Sequence, residues 1–343
     1  MSAGVAPIER AAPRSLPGGV AATAAILFAG GLAAFLFGLA NDPETAWRAF
    51  HVNYIYFGGL AQGGIVLSAA MVIIGARWAG PVQRIAESLG AWVPVTFLLG
   101  CVGILGRHHI YDWIEHPIAI KAAWLNPTRM YVMDLAILGI LAILTIVWLK
   151  ARWRPTLHNV EATGFAKGMA ESWTKGWRGD AEEDAARAGR LKVLAPIICL
   201  VYGFGWSVIA FDQVMSLSPM WFSNLFGAFV AWGGFLSAVS VTTMLAVLHR
   251  NYPGLEDQIT KARLHDLGKM IFAFSIFWMY LFFAQYLVIW YGNLPEETSF
   301  FQARLGSEFL QGTWHFEGWW QRIQEPYVKL TLFTWICVWV IPF

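Results

Sequence analysis

Eight apolar runs, each about the length that crosses a bilayer, dominate this 343-residue chain. They cover residues 19–40, 52–78, 86–107, 130–150, 191–215, 220–248, 268–292 and 327–343, the last of them incomplete. Charged residues make up 13% of the chain, against about 25% in a soluble domain, and hydrophobic residues 57%. The bilayer is therefore the solvent. The expected fold class is an all-α integral membrane protein. A net charge of +2 points to no particular partner, and no basic, aromatic-interleaved surface suggests nucleic acid.

Two stretches of the chain repeat. AQGGIVLSAA (61–70) matches AWGGFLSAVS (231–240). SLGAWVPVTFLLGCVGILGRHHIYDWIEHP (88–117) matches DLGKMIFAFSIFWMYLFFAQYLVIWYGNLP (266–295), with Leu89 on Leu267, Gly90 on Gly268 and Pro117 on Pro295. Matched spans run in the same direction, so the repeat is parallel, as in one class of duplicated membrane bundles. The organisation expected from this is a tail and leading helix (1–50), a first four-helix bundle (51–215, with a loop at 151–190) and an incomplete second bundle (216–343). The chain stops at Phe343 inside an apolar run with no basic stop. We expect a truncated form of a longer protein, its C-terminal helices missing.

With the N-terminus inside, 17 of the 24 Lys and Arg residues fall on the cytoplasmic side, as the positive-inside rule requires. The segment MSAGVAPIERAAPR matches neither a secretory leader nor a lipidation motif. Loop 151–190 is polar, mixed in charge and expected to be partly helical. Trp47, Trp113, Trp221, Trp290, Trp319 and Trp320 sit at outer helix ends, and Trp78, Trp148 and Trp153 at inner ends. Anchoring at the headgroup level accounts for most of them. Cys101, Cys199 and Cys337 read as small buried apolar residues.

Ionisable residues within spans are costly and mark function. Here they gather at the outer ends of the first half: His51, His108, His109, Asp112, Glu115, Asp134, and Asp212 with Gln213. Imidazoles beside carboxylates suit proton exchange at neutral pH. The plainer alternative is that His108, His109, Glu115 and His116 are loop residues that cap helices. Asp266 and Lys269 flank the inner start of span seven at i and i+3, either as an ion pair or as a proton entrance. Tyr202, Ser237, Ser240, Thr242, Thr243, Ser275, Tyr280, Gln285 and Tyr286 form a polar trail at membrane depth, read as backbone-bonded hydroxyls or as a proton wire. A b-type haem would need two facing histidines, whereas His51, His108 and His109 lie at helix ends. No nucleotide fingerprint, zinc motif or Cys-x-x-Cys is present. The chain is expected to bind no cofactor of its own and no metal, and no residue is assigned a catalytic role.

FDQVMSLSPMWFSNLFGAFVAWGGFLSA (211–238) and HDLGKMIFAFSIFWMYLFFAQYLVIWYGNLPEET (265–298) resemble the ActF family. These are membrane subunits of alternative complex III, the bacterial quinol:cytochrome c oxidoreductase. They belong to the wider polysulfide-reductase/NrfD-like group. The resemblance covers most of residues 20–300 and implies tandem four-helix bundles. It also implies a bacterial inner-membrane location, with iron–sulfur, multihaem cytochrome and other membrane subunits as partners. The related ActC subunits, which hold the quinol, carry Glu where this chain has Gln285. The resemblance thus implies the partner without the main quinol site, with a role in assembly and in proton conduction coupled to quinol oxidation. Segment 300–327 is longer than the family pattern. A stand-alone transporter or channel, with a midplane site at Gly203, Gly205, Gly233 or Gly234, is the competing reading, and a purely structural anchor the third.

Overall fold

The structure is a computed structural model and describes residues 18–76, 78, 80–160, 165–252, 255–305 and 326–342. The N-terminal tail, Trp319, Trp320 and most of segment 300–327 lie outside the described residues. Among the described residues, ten helices of ten or more residues follow in order: α1 (Gly18–Asn41), α2 (Pro43–Ile73), α3 (Gly80–Ile110), α4 (Pro127–His158) and α5 (Phe165–Thr174), then α6 (Asp180–Leu217), α7 (Phe226–His249), α8 (Lys261–Gly292), α9 (Pro295–Leu305) and α10 (Tyr327–Val340). No strand occurs among the described residues. Among the described residues seven helices, α1–α4 and α6–α8, are long and apolar enough to cross a membrane. The chain is a multi-pass, all-helical membrane protein. The eighth expected span forms only the short apolar helix α10.

Several helices begin earlier than their apolar runs because polar caps set their ends. Asp42 precedes Pro43 and accepts from the Thr45 amide at 3.1 Å. Asn126 precedes Pro127 and accepts from the Arg129 amide at 3.2 Å. Thr260 accepts from the Arg263 amide at 3.3 Å. Each cap satisfies an amide that the helix leaves unpaired. A cap needs no lipid, so the helix starts outside the apolar stretch. The Thr45 side chain and amide also hold the Asp42 carboxyl below its ordinary value of 3.8.

α2 is the central helix. Its apolar window is 72% buried, against 0% for α1 and 22% for α8. It packs against α1, α3, α6 and α7. The repeated glycine pairs explain how it fits there. A Cβ on Gly63 would stand 2.8 Å from the Gly234 carbonyl oxygen and 2.9 Å from Ala238 Cβ. A Cβ on Gly234 would stand 3.0 Å from the Gly59 backbone. α2 and α7 thus meet backbone to backbone, the contact that small residues allow in membranes. The second glycine of each pair faces another helix: Gly64 the α3 residues Ala86 and Leu89, Gly233 the indole of Trp278 on α8. These glycines are contact points, not breaks.

Lipid-like exposure corrects two expectations. Cys101 and Cys337 are exposed and Cys199 is half-buried, since an apolar side chain in a bilayer can face outwards without penalty. Trp47, Trp113, Trp148 and Trp221 are buried in the protein instead of anchoring it. The helix ends that carry them pack on neighbouring elements.

We call the end of the bundle that holds His51, Asp112 and Trp221 the upper end, and that holding Glu87 and Arg152 the lower. Two outcomes follow from this packing. Gly63→Val forces α2 and α7 apart and costs about 1–3 kcal/mol, the usual penalty of overpacking, whereas Gly31→Val, with nothing within 4 Å, leaves the melting temperature in detergent unchanged. The Asp42 cap has a folded pKa below its unfolded value, so its contribution is present above pH 3.8 and is lost as pH falls through the folded value. Asp42→Ala therefore melts below the wild type at neutral pH and converges with it under strong acid.

Candidate functional site

At the upper end, inside the bundle, three helices bring ionisable groups together. α6 leaves α-helical geometry at a π turn, Ala210–Val214. Such turns cluster at functional positions. Within it Asp212 and Gln213, adjacent in sequence, are both buried. Gln213 is the hub. Its backbone carbonyl accepts from His51 Nε2 at 2.8 Å, and its side-chain amide donates to Asp134 Oδ2 at 2.8 Å. The Tyr54 hydroxyl lies 3.5 Å from the same amide nitrogen. Asp134 itself is fully buried in α4.

Asp212 Oδ1 accepts from Arg129 at 2.5 Å. Arg129 also donates to the Trp124 carbonyl at 2.8 Å and lies over the Trp124 ring, 4.2 Å from its centroid. The Trp124 side chain lies beside the Asp212 carboxyl. The two carboxyls interact directly, side chain to side chain. One oxygen on each, Asp134 Oδ1 and Asp212 Oδ2, has no other partner. Carboxyl dyads elsewhere resolve such a juxtaposition by sharing one proton. The site thus holds two carboxyls whose hydrogen bonding the surrounding donors leave incomplete.

At the lower end a second buried carboxylate has the opposite character. Glu87 of α3 is 0% exposed and accepts from Ser68 Oγ (2.7 Å), Arg152 Nε (2.6 Å) and Trp153 Nε1 (2.8 Å). Gln83 and Trp148 bond Ser68 in turn. Every oxygen is occupied and the charge is paired, so this cluster ties α2, α3 and α4 together. α4 joins the two centres. Asp134, Thr145 and Arg152 fall on one face of it, and the 18 residues from first to last rise about 27 Å, close to the hydrocarbon thickness. Midway, Thr145 donates to Gln62 Oε1 at 3.4 Å, while Gln62 Nε2, also buried, has no partner.

Of the residues singled out from sequence, the structure brings together His51, Asp134 and Asp212. His108, His109 and Asp112 stay on the exposed rim of the same end. His108 lies 3.8 Å from Glu115 and Asp112 3.8 Å from Arg48. Asp266 and Lys269 form an exposed 2.7 Å pair at the lower end. Most of the mid-membrane trail is bonded locally. Ser240, Thr243 and Ser275 donate to carbonyls of their own helices, Tyr202 donates to the Ala231 carbonyl, and Tyr280 is exposed. Gln285 donates to the Leu281 carbonyl and accepts from Ser223. Tyr286 packs its ring on Phe301.

Arg129, Tyr54 and Glu87 were not singled out. A cation in the first turn of a helix opposes the macrodipole, so Arg129 carried a signal that its partner lies elsewhere. Glu87 carried one too, as the lone carboxylate of the run 86–107. No protein-family model matches the chain, and a search of curated proteins finds no match.

The two carboxylate centres make separable predictions. Glu87→Ala strands the half-buried Arg152 charge and costs about 3 kcal/mol. Glu182→Ala, at an exposed pair with Arg178, changes stability by about 0.5 kcal/mol or less. Thermal melts of the purified protein in one detergent compare them directly.

Proposed function

We propose that this chain is a cofactor-free membrane subunit of a quinol-oxidising respiratory complex of the alternative complex III type, in which the Asp134–Asp212 pair exchanges protons. The resemblance of residues 211–238 and 265–298 to ActF subunits supports the complex. One structural observation supports the proton role: two neighbouring buried carboxyls, each with an oxygen that no protein donor reaches. In this reading the upper end faces the outside of a bacterial inner membrane, with the N-terminus cytoplasmic, as the Lys and Arg asymmetry suggests. The glycine pairs, Gly63 against Gly234 with their neighbours on α3 and α8, fit two parallel NrfD-like bundles meeting along α2 and α7.

Each residue then has a distinct part. Asp134 and Asp212 hold the proton. Arg129 anchors one carboxyl and Gln213 the other. His51, bonded to the Gln213 carbonyl, reports on the hub and faces Tyr111 edge to ring at 5.7 Å. His108, His109 and Asp112 on the rim connect the pair with water. Quinol is oxidised in partner subunits that carry the iron–sulfur clusters and c-type haems.

The full-length protein, tagged and extracted from native membranes in mild detergent, should bring with it a haem-staining cytochrome, an iron–sulfur subunit and a second polytopic subunit. Recovery alone and colourless would sink the complex reading and favour the stand-alone transporter. Within the assembled complex, Asp134→Asn or Asp212→Asn should lower proton-coupled turnover by about 100-fold, the scale of losing a positioned acid–base group. Unchanged coupling in both variants would leave the pair a structural feature.

A further inference from the structure

A cavity of about 330 Å³ lies at the upper end, where α3 ends and α4 begins. Four polar side chains line it: Arg107, His108, Thr128 and Tyr131. Four apolar ones complete it: Ile104, Ile114, Pro127 and Val132. Arg107 Nε donates to His108 Nε2 at 3.1 Å, and the other ring nitrogen of His108 stands 3.8 Å from Glu115. Both terminal nitrogens of Arg107 lack a partner among the described residues, and neither is buried. The rest of the guanidinium fork is thus left for an outside acceptor. The Thr128 and Tyr131 hydroxyls also bond no other side chain or carbonyl among the described residues, and the Tyr131 hydroxyl is not buried. The Arg107 charge acts on the Tyr131 phenol, so the two stand close together.

The chemistry of the lining changes with depth on both helices. α3 runs upwards here, so Ile104 sits about 5 Å deeper than Arg107. α4 runs back down, so Val132 sits about 6 Å deeper than Thr128. The charged donor is therefore at the ends of the spans, where headgroups lie, and the apolar wall is one turn below it. That wall continues onto the outer surface of the bundle, where Leu105 and Val132 are 75% and 65% exposed. A hydrocarbon alone leaves the donors unused. A free anion takes the donors and makes no use of the wall beneath them. A molecule with acidic oxygens above and a chain below engages both.

We infer that this cavity holds a phospholipid headgroup, with the phosphate on the Arg107 guanidinium, the Thr128 and Tyr131 hydroxyls on neighbouring phosphate or ester oxygens, and one acyl chain descending over Ile104 and Val132. The volume, at the lower edge of small-molecule sites, suits a phosphate and the glycerol that it esterifies, and the chains lie on the exposed apolar surface. His108 fixes the guanidinium from the protein side through its bond to Nε. The carboxylate nearest that bond, Glu115, is on the other edge of the imidazole, so the phosphate meets Arg107 without a carboxylate in between. The site does not rest on the proposed respiratory role.

Native mass spectrometry of the full chain in detergent, titrated with phosphatidylglycerol, tests this. The wild type should retain the lipid, and Arg107→Gln should weaken that retention about fivefold, the scale of one cation at a membrane surface. Tyr131→Phe is the second variant: it keeps the ring and the Arg107–His108 bond, and the loss of one hydrogen bond should weaken retention about threefold. Arg48→Gln, at the same end but paired with Glu44 at 2.5 Å, should retain the lipid as the wild type does. Equal retention by the wild type, Arg107→Gln and Tyr131→Phe would overturn the site. An equal loss in Arg48→Gln would also overturn it, since diffuse surface charge would then explain the binding. Displacement of the lipid by millimolar glycerol phosphate would overturn the lipid as occupant and mark a site for soluble anions.

Discussion

The backbone contact between α2 and α7 decides the rest of this structure. Gly63 and Gly234 let the two helices approach closely enough that a single methyl group on either would meet backbone. Without a hydrophobic drive between helices in lipid, such close packing is the main source of association. It places α2 at the centre of the molecule, surrounded by α1, α3, α6 and α7. Four polar residues on α2 are thereby committed to the interior. His51, Tyr54, Gln62 and Ser68 must find partners on α3, α4 and α6, and those partners define both buried polar centres.

The two centres show how the same chemistry takes opposite roles. An unmet polar atom in a bilayer interior has no water to turn to. Glu87 resolves this with three donors and a paired charge, and so gains nothing from moving a proton. Asp134 and Asp212 have donors for one oxygen each and lean on one another for the remainder. Satisfaction, not burial, separates the two centres. Arg129 sharpens the contrast, because it sits where the helix dipole opposes it and so depends on Asp212 for its place.

Much of the fold was legible from composition and periodicity. Seven of the eight apolar runs correspond to long helices, because a hydrocarbon solvent leaves a span little alternative to internal hydrogen bonding. Helix starts were legible only in part. Asp42, Asn126 and Thr260 extend helices into polar sequence that hydropathy assigns to loops. Tryptophan was misread for a related reason: an indole at a helix end looks the same in sequence whether lipid or protein covers it, and Trp148 and Trp221 are covered by protein.

The site divides along the same line. Asp134 and Asp212 stand out in one dimension, since a carboxylate within an apolar run is rare and costly enough to need a purpose. Their partnership does not, because 78 residues separate them and only the packing of α4 on α6, with the π turn at Ala210–Val214, brings them into contact. Which of the neighbouring histidines joins them was equally undecided. His51, His108 and His109 look alike as residues at helix ends. The close approach of α2 and α7 carries His51 inward to Gln213, while the turn after α3 leaves the other two at the rim. Residue chemistry dictated membrane and helices, and marked Asp134 and Asp212 as costly where they stand. Burial and partners came from tertiary contacts, because hydrogen bonding between distant segments depends on distances that no local pattern encodes.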